Sequence, residues 1–478
     1  MCAGLGVSDL ETIDAIFSNP DLYTLPDGLV TRDPTKGGRP QLYPDYLILG
    51  VDAMAVIYTS LRAAVAALYG PVVWARVRAL VERQFPEDPS KWLPDKPPTR
   101  TWYYRRRKAL TDAGIVLEEL LARFRVSAVS TAREIGLLDP EGPGTTTHPD
   151  LSRMIYHDGK AIRQMYNTAP GDTRTITIVD PDTGEVRLEE RQVRFDPDAK
   201  VHHTGDQRQI WGCKFWVGLV RSTEPFTRVV LAIDHVPTVR GEENSEADIA
   251  TKNLLDLAPL VPGALGSISD TALRGTHLDR LQRQTGWVVV NPTAAERVDP
   301  KTGDRTEKQR YLRTVAVEGR HEVHEVEVWY SGGGLCRLDY TDDGKPVLIP
   351  LERVGNPVRP NRDGTFRTYV EYRVPNPEGG KDQIIREPTY TRDTDSFNRA
   401  ENIRQIPRGD PDYERLMGRR SDAEAANRQI DDHLYLRRAR SLGARRQLFD
   451  LLAYALVQNS IALHRHRLRA RPAAEMAA

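Results

Sequence analysis

The segment "GSISDTALRG", residues 266–275, decides how the rest of the chain is interpreted. It predicts a short buried strand that ends on one acid, Asp270, and is followed by a turn and a helix. A carboxylate at the tip of a buried strand is costly unless another group pairs with it. The partner that Asp270 meets is therefore the first property to establish.

The residues around this segment predict strands and helices in a definite order. Three strands come first, then a helix, the strand that ends at Asp270, a second helix and a last strand. The first three strands lie in residues 153–166, 210–222 and 227–236, and a hairpin at 173–193 interrupts them. Sequential strands followed by alternating helices predict an α/β fold with a mixed sheet and helices on its faces.

Two aspartates meet in such a sheet. Asp158 lies in the middle of the first strand, and we expect it beside Asp270. Carboxylates about 4 Å apart repel each other, and a divalent cation such as Mg²⁺ or Mn²⁺ is their natural partner. A third carboxylate on a neighbouring helix would complete a two-metal site for phosphodiester chemistry. Spacing alone leaves a capping role for each aspartate open, and it leaves Asp234, at the end of the third strand, as a rival metal ligand.

The two ends of the chain predict helices with basic blocks. In residues 1–140, a helix over 43–70 is expected to end at Gly70. Another helix, over 99–113 with Thr99 as its N-cap, has the form of a helix-turn-helix reader. Its basic side chains would face DNA phosphates or a groove: Arg105, Arg106, Arg107 and Lys108. The alternative is a solvated basic surface.

The second half of the chain predicts strands and then helices. Residues 301–405 are expected to form a β-rich insertion, and residues 406–470 a helical segment with a break near Gly443. Residues 433–471 contain nine arginines and one acid, Asp450. Arg437 and Arg438 in this block are candidate phosphate contacts. The segment "HEVHE" (321–325) has HxxH rather than HExxH spacing, which argues against a metalloprotease.

Composition limits the class of protein. The chain has 478 residues, of which 39% are hydrophobic and 28% charged, as in globular proteins. Its 67 basic and 67 acidic residues cancel, so nucleic-acid binding would depend on the local basic blocks. No long apolar run, leader segment or cysteine framework is evident, and we expect a cytoplasmic protein that does not enter a membrane.

The segment "RRSDAEAANRQI", residues 419–430, resembles the last catalytic helix of a DDE transposase of the bacterial insertion-sequence type. That family has an arginine, then the catalytic glutamate, then often an asparagine, which correspond here to Arg420, Glu424 and Asn427. The segments "IYHDGKAI" and "SISDTALRG" match its two catalytic aspartates. A later apolar helix with an asparagine, Asn459, is also similar to the family.

The resemblance implies a ribonuclease-H-like core, formed by residues 150–300 and 406–470, with a helical DNA-binding domain at 1–140 and the insertion at 301–405. Asp158, Asp270 and Glu424 would hold two Mg²⁺ or Mn²⁺ ions, while Arg420 and Asn427 would contact DNA. The implied function is to bind transposon-end inverted repeats, to cleave the DNA in a metal-dependent reaction and to transfer the ends into target DNA. The resemblance also implies a homodimer that acts on double-stranded DNA in the nucleoid. The alternatives are a silent DNA-binding protein of transposase descent and a structure-selective nuclease.

Two acids in this helix compete for the third position of the triad. Asp422 and Glu424 are two residues apart and point about 200° apart on a helix, so both cannot face the sheet. The resemblance selects Glu424. The small or apolar residues Ala423, Ala426 and Ile430 would face the strands, and Asp422 is expected near Arg419 and solvent.

Overall fold

The computed structural model describes residues 8–30, 41–180, 182–203, 209–237, 243–270, 272–294, 296–299, 302, 304–391, 396–418 and 421–470. Within these ranges the chain is a mixed α/β structure with a helical N-terminal region, a central mixed sheet, a β-rich insertion and C-terminal helices. The predicted α/β class is confirmed.

Helices make up the described N-terminal region: α1 (Asp9–Phe17), α2 (Asp21–Thr24), α3 (Tyr46–Ile57), α4 (Leu61–Leu68), α5 (Pro71–Gln84), α6 (Arg100–Asp112) and α7 (Gly114–Glu134). Thr99 caps α6, because its hydroxyl accepts a hydrogen bond from the Trp102 N–H at 3.2 Å. The helix predicted over 99–113, with this N-cap, is therefore confirmed.

The single helix predicted to end at Gly70 is wrong, since two helices, α3 and α4, occupy this segment and are bent by 110°. Between them Thr59 has a φ of +56°, a left-handed conformation that an α-helix does not contain. Ser60 then starts α4 by accepting a hydrogen bond from the Ala63 N–H. Apolar residues continue across the break, so periodicity did not reveal it.

In the described parts of the chain, no single helix is long and apolar enough to cross a membrane, and only α3 and α4 together, as a bent pair, pass that test of length and composition. Every residue of α3 is buried inside the protein.

The strands of the middle region are β1 (Met154–Arg163), β2 (Thr173–Val179), β3 (Val186–Gln192), β4 (Lys200–His203), β5 (Gln209–Val220), β6 (Val229–Val236), β7 (Gly266–Ile268) and β8 (Val288–Val290). β1 lies in the centre of a mixed sheet. β5 pairs antiparallel with β1 on one side and with β6 and the short β4 on its far edge. β7 and β8 follow on the other side of β1, both parallel. The hairpin β2–β3 forms a separate two-stranded sheet, as predicted.

The helices of the second half are α8 (Glu246–Leu257), α9 (Gly275–Thr285), α10 (Arg399–Asn402), α11 (Pro411–Met417), α12 (Ser421–Asp432) and α13 (Ala444–Ala470). Gly443, with a φ of +86°, lies just before α13, where the sequence predicts a break. In α13, the Asn459 side chain accepts a hydrogen bond from the Val230 N–H at 2.8 Å and donates one to the Val230 carbonyl at 2.9 Å. Val230 belongs to the edge strand β6, so Asn459 replaces the partner that a further strand would supply.

The predicted β-rich insertion is confirmed. Its strands are β9 (Arg297–Val298), β10 (Arg305–Thr306), β11 (Gln309–Glu318), β12 (Val323–Ser331), β13 (Gly334–Tyr340), β14 (Pro346–Pro350), β15 (Glu352–Gly355), β16 (Val358–Pro360), β17 (Phe366–Val374) and β18 (Gln383–Pro388). They form two four-stranded sheets and a small β9–β10 ladder. Buried side chains such as Val328, Val370 and Tyr372 give the insertion a hydrophobic core of its own.

A buried ion-pair network joins the N-terminal helices to α13. The Arg107 guanidinium, on α6, contacts Asp52 of α3 at 3.1 Å and Asp450 of α13 at 2.7 Å. The Tyr103 hydroxyl donates a further hydrogen bond to Asp52. Burial opposes the charge of Arg107, but the carboxylates of Asp52 and Asp450 raise its pKa above the usual range, so it stays charged.

Arg107 was predicted to face DNA, and this prediction is wrong. Its side chain is only 6% exposed, and the two carboxylates occupy its guanidinium. The sequence did not reveal this, because consecutive basic residues within one helical turn point toward both solvent and core. The hydrophobic side chains of the N-terminal helices, the central sheet and α13 form one continuous core around the network.

Replacing Arg107 with alanine should lower the free energy of unfolding by about 3–5 kcal/mol, because two buried carboxylates would lose their partner. Chemical denaturation of the purified protein measures this change. Arg105→Ala, on the exposed face of the same helix, is the matched control and should stay within about 0.5 kcal/mol of the parent. Equal stability of the two variants would contradict the structural role given to Arg107.

Candidate functional site

The two predicted aspartates come from adjacent parallel strands. In the β1–β7 ladder, Tyr156 is paired with Ile268. Asp158 lies two residues after Tyr156 within β1, and Asp270 lies two residues after Ile268, just beyond the end of β7. Equal offsets in a parallel register put two residues at the same height and on the same face of a sheet. Asp158 therefore lies in β1 and Asp270 directly after the adjacent strand β7.

Backbone N–H groups and one amide hold the two carboxylates. Asp158 Oδ1 accepts a hydrogen bond from the Gly159 N–H, and Asp270 Oδ1 accepts one from the Ala272 N–H, both at 2.8 Å. The second oxygen of Asp158 accepts a hydrogen bond from the Asn427 side chain, also at 2.8 Å. Asn427, predicted as a DNA contact, thus ties α12 to the acidic edge of the sheet.

The position of Asn427 also locates Glu424. These residues are three apart on α12, so they share one face of the helix. Ala423, Ala426 and Ile430 are buried, as predicted for the side that approaches the strands. Glu424 is exposed on the flank next to them, one turn before the residue that contacts Asp158. Glu424 therefore lies on the part of α12 that borders the contact between Asn427 and Asp158.

Asp422 was expected in solvent near Arg419, but it is not in solvent. Its carboxylate accepts a hydrogen bond from Arg221 Nη1 at 2.6 Å, and its side chain is only 14% exposed. Arg228 lies 4.0 Å from the same oxygen. Arg221 follows β5 and Arg228 precedes β6, so Asp422 ties α12 to the turn between these strands. The sequence offered no signal for this contact, which spans about two hundred residues.

His157 is the buried neighbour of the acids. Burial lowers its pKa to about 4, although the Asp270 carboxylate opposes this shift. Its Nδ1 accepts a hydrogen bond from the Trp216 indole at 3.2 Å. His157 is therefore neutral at physiological pH and brings no positive charge to the edge where the carboxylates lie.

The rival acid Asp234 is placed elsewhere. It lies in β6, which β5 separates from β1. Its carboxylate accepts a hydrogen bond from the Asn253 amide at 2.9 Å and forms an ion pair with Lys252 at 3.4 Å. Asp234 thus anchors α8 to the sheet, and β5 and β1 lie between its strand and β7, which precedes Asp270.

The predicted DNA-binding side chains differ in exposure. Arg105, Lys108 and Arg437 are exposed. Arg106 is half-buried and paired with Asp45 at 2.7 Å, and the Arg438 guanidinium donates to the Gln164 carbonyl at 3.3 Å. Arg420 lies outside the described residues.

A group of three side chains in the insertion has the residue types of a metal site. Atoms of Glu322, His324 and Glu378 lie within 4.8 Å of one another. Glu378, however, accepts hydrogen bonds from the Arg320 and His321 N–H groups and contacts His324 Nε2 at 2.9 Å. These bonds close the turn between β11 and β12, which is a sufficient structural role for the group.

No protein-family model matches this chain, and no curated protein sequence shows significant similarity to it. The assignment of function therefore depends on the residues and their geometry.

The two acids of α12 should affect stability differently. Asp422→Asn should lower the free energy of unfolding by about 1–3 kcal/mol, because it removes the charge that faces Arg221 and Arg228. Glu424→Gln should change it by less than about 0.5 kcal/mol, because Glu424 is exposed. Thermal and urea denaturation of both variants would measure this. A larger loss for Glu424→Gln would mean that the two acids have exchanged their roles.

Proposed function

We propose that this protein is a DNA transposase of the DDE type, with Asp158, Asp270 and Glu424 as its catalytic acids. The observation that carries the proposal is that Asp158 and Asp270 each follow the last residue pair of the β1–β7 ladder, Tyr156 and Ile268, by two positions, and that Asn427 of α12 is hydrogen-bonded to Asp158. In this proposal the acids at residues 158, 270 and 424 act together at one edge of the sheet.

The strand order supports a ribonuclease-H-like core. β1, β5 and β6 pair antiparallel, and the later strands β7 and β8 add parallel on the other side of β1, each preceded by a helix. This order is the one in which an acid in the first strand and an acid after the fourth become neighbours. The length of chain between Asp270 and Glu424 is accounted for largely by the β-rich insertion.

The donor set fits divalent cations. Asp158, Asp270 and Glu424 would hold Mg²⁺ or Mn²⁺, because carboxylate oxygens are the ligands that these hard ions prefer. When bound, the ions would activate a water or DNA hydroxyl and stabilise the leaving oxygen of a phosphodiester. The chain itself contributes orientation: Asn427 and the Gly159 N–H fix both oxygens of Asp158, and neutral His157 does not compete as a cation.

Exposed basic side chains support DNA as the partner. Arg105 and Lys108 on α6 and Arg437 before α13 lie on the surface, where they could contact phosphates. Transposon ends and target DNA would be the substrates. Joining two ends requires that both be held together, so the proposal includes a homodimer on DNA.

Glu424→Gln should abolish Mg²⁺-dependent cleavage of linear DNA that carries the inverted repeats flanking the gene, while DNA binding should stay within a few-fold. The substitution removes one charged metal ligand and little else. Gel analysis of cleaved ends and a mobility-shift assay on the same DNA measure the two effects.

Asp432→Asn is the matched control, because Asp432 is an exposed acid on the same helix. It should cleave as well as the parent. Metal-dependent cutting that ignores the inverted repeats and joins no ends would support the structure-selective nuclease instead. DNA binding without cutting, in parent and variants alike, would support the silent DNA-binding protein.

A further inference from the structure

A cavity lies between the N-terminal helices and the segment that joins α12 to α13. It has a volume of about 830 Å³ and opens to solvent. Seven cationic side chains line it and, among the described residues, no carboxylate does, although the whole chain has as many acids as bases. A concave surface with charges of one sign focuses its field on a ligand of opposite charge.

The cations of this lining differ in their pairing. Arg107, Lys108 and Arg446 contact carboxylates, whereas no ion pair between described residues includes Arg62, Arg194 or Arg438. Arg440 also lines the cavity, and its side chain is only 5% exposed. Its Nη2 atom donates a hydrogen bond to the Asp450 carbonyl at 3.3 Å, and its Nε atom lies 3.9 Å from the Asp450 carboxylate. Arg440 therefore adds positive charge to the cavity wall while its guanidinium faces α13.

The same cavity has aromatic rings at its mouth. Tyr104, Tyr166 and Tyr435 line it and are 45%, 39% and 66% exposed. Exposed tyrosines beside arginines are the combination that binds unpaired nucleic-acid strands, where bases stack on rings and phosphates meet cations. Paired bases present only their edges in the grooves, so a duplex cannot use these rings in the same way.

The cavity lies near the C-terminal end of β1, past Asp158. Arg163, the last residue of β1, is five residues after Asp158, or about 17 Å along the strand, and Arg163 is bridged to Arg438 of the cavity wall. We propose that this cavity binds a single-stranded segment of DNA. The inference goes beyond the proposed function by naming single-stranded DNA as the ligand of a cavity outside the acidic edge. It rests on the proposed function only for the source of that single strand.

The test is fluorescence anisotropy of a labelled oligothymidylate of about 16 nucleotides with the full-length protein in EDTA. Tyr435→Ala should weaken binding about tenfold, because one base would no longer stack on a ring. Tyr340→Ala removes a tyrosine of nearly equal exposure, 64%, in the insertion and should have no effect. An abasic oligonucleotide should bind both variants equally. Tyr104→Ala gives a second test of the same rim if Tyr435→Ala folds poorly.

The double variant Arg62→Ala/Arg194→Ala tests the pairing of these arginines with phosphates. It should reduce the slope of log K against log salt by about 1.4, at about 0.7 for each phosphate that is no longer neutralised. Arg280→Ala, on the exposed side of α9, should leave the slope unchanged. Variants that all behave like their controls would overturn the proposal. Thymidine monophosphate that binds as tightly as the oligonucleotide would also overturn it, because the cavity would then be a small-molecule site.

These measurements separate the two proposals. Strand binding that depends on Tyr435 without any Mg²⁺-dependent cleavage would leave the cavity assignment intact and reject the transposase. Cleavage that depends on Glu424, with strand binding insensitive to the cavity variants, would do the reverse.

Discussion

The pairing of β1 with a different partner on each side is the constraint on which the rest of the structure depends. β5 runs antiparallel to β1 over eight residue pairs, and β7 runs parallel to it over three. The long antiparallel ladder fixes the height of Asp158, and the short parallel one sets Asp270 at the same level. A register slip of one residue in the β1–β7 ladder would turn one carboxylate to the other face of the sheet and separate the acids.

Gly159 shows how tightly the surroundings of Asp158 are built. A Cβ atom at this position would lie 1.9 Å from a carboxylate oxygen of Glu246, which pairs with Lys214. Helix α8 therefore approaches one face of β1 closely at the residue after Asp158, while Asn427 of α12 contacts Asp158 from the other. The acid is held between helices on both faces, and only glycine leaves room for this packing.

The Arg107 network has a consequence for the surface as well as for stability. It ties α3, α6 and α13 together, so the N-terminal helices and the segment after α12 form opposite walls of one basic cavity. Arg107 pairs with two buried carboxylates and Arg440 lies near one of them, whereas Arg62 and Arg194 of the same cavity wall are in no ion pair between described residues. The charges of the basic blocks are thus divided between an internal role and an external one.

The sequence by itself determined the local elements and the identity of the acids on each. Periodicity and capping residues placed α6, β1, the β2–β3 hairpin, the insertion and the break at Gly443, because these depend on neighbours within a few positions. The order of elements also put Asp158 and Asp270 on adjacent strands. Only the tertiary structure decided that Arg107 is internal, that Asp422 meets Arg221, and that Tyr104 and Tyr435 share one cavity. Each of these contacts joins residues far apart in the chain, and whether a charged side chain is solvated or paired depends on which elements pack over it rather than on the residues beside it.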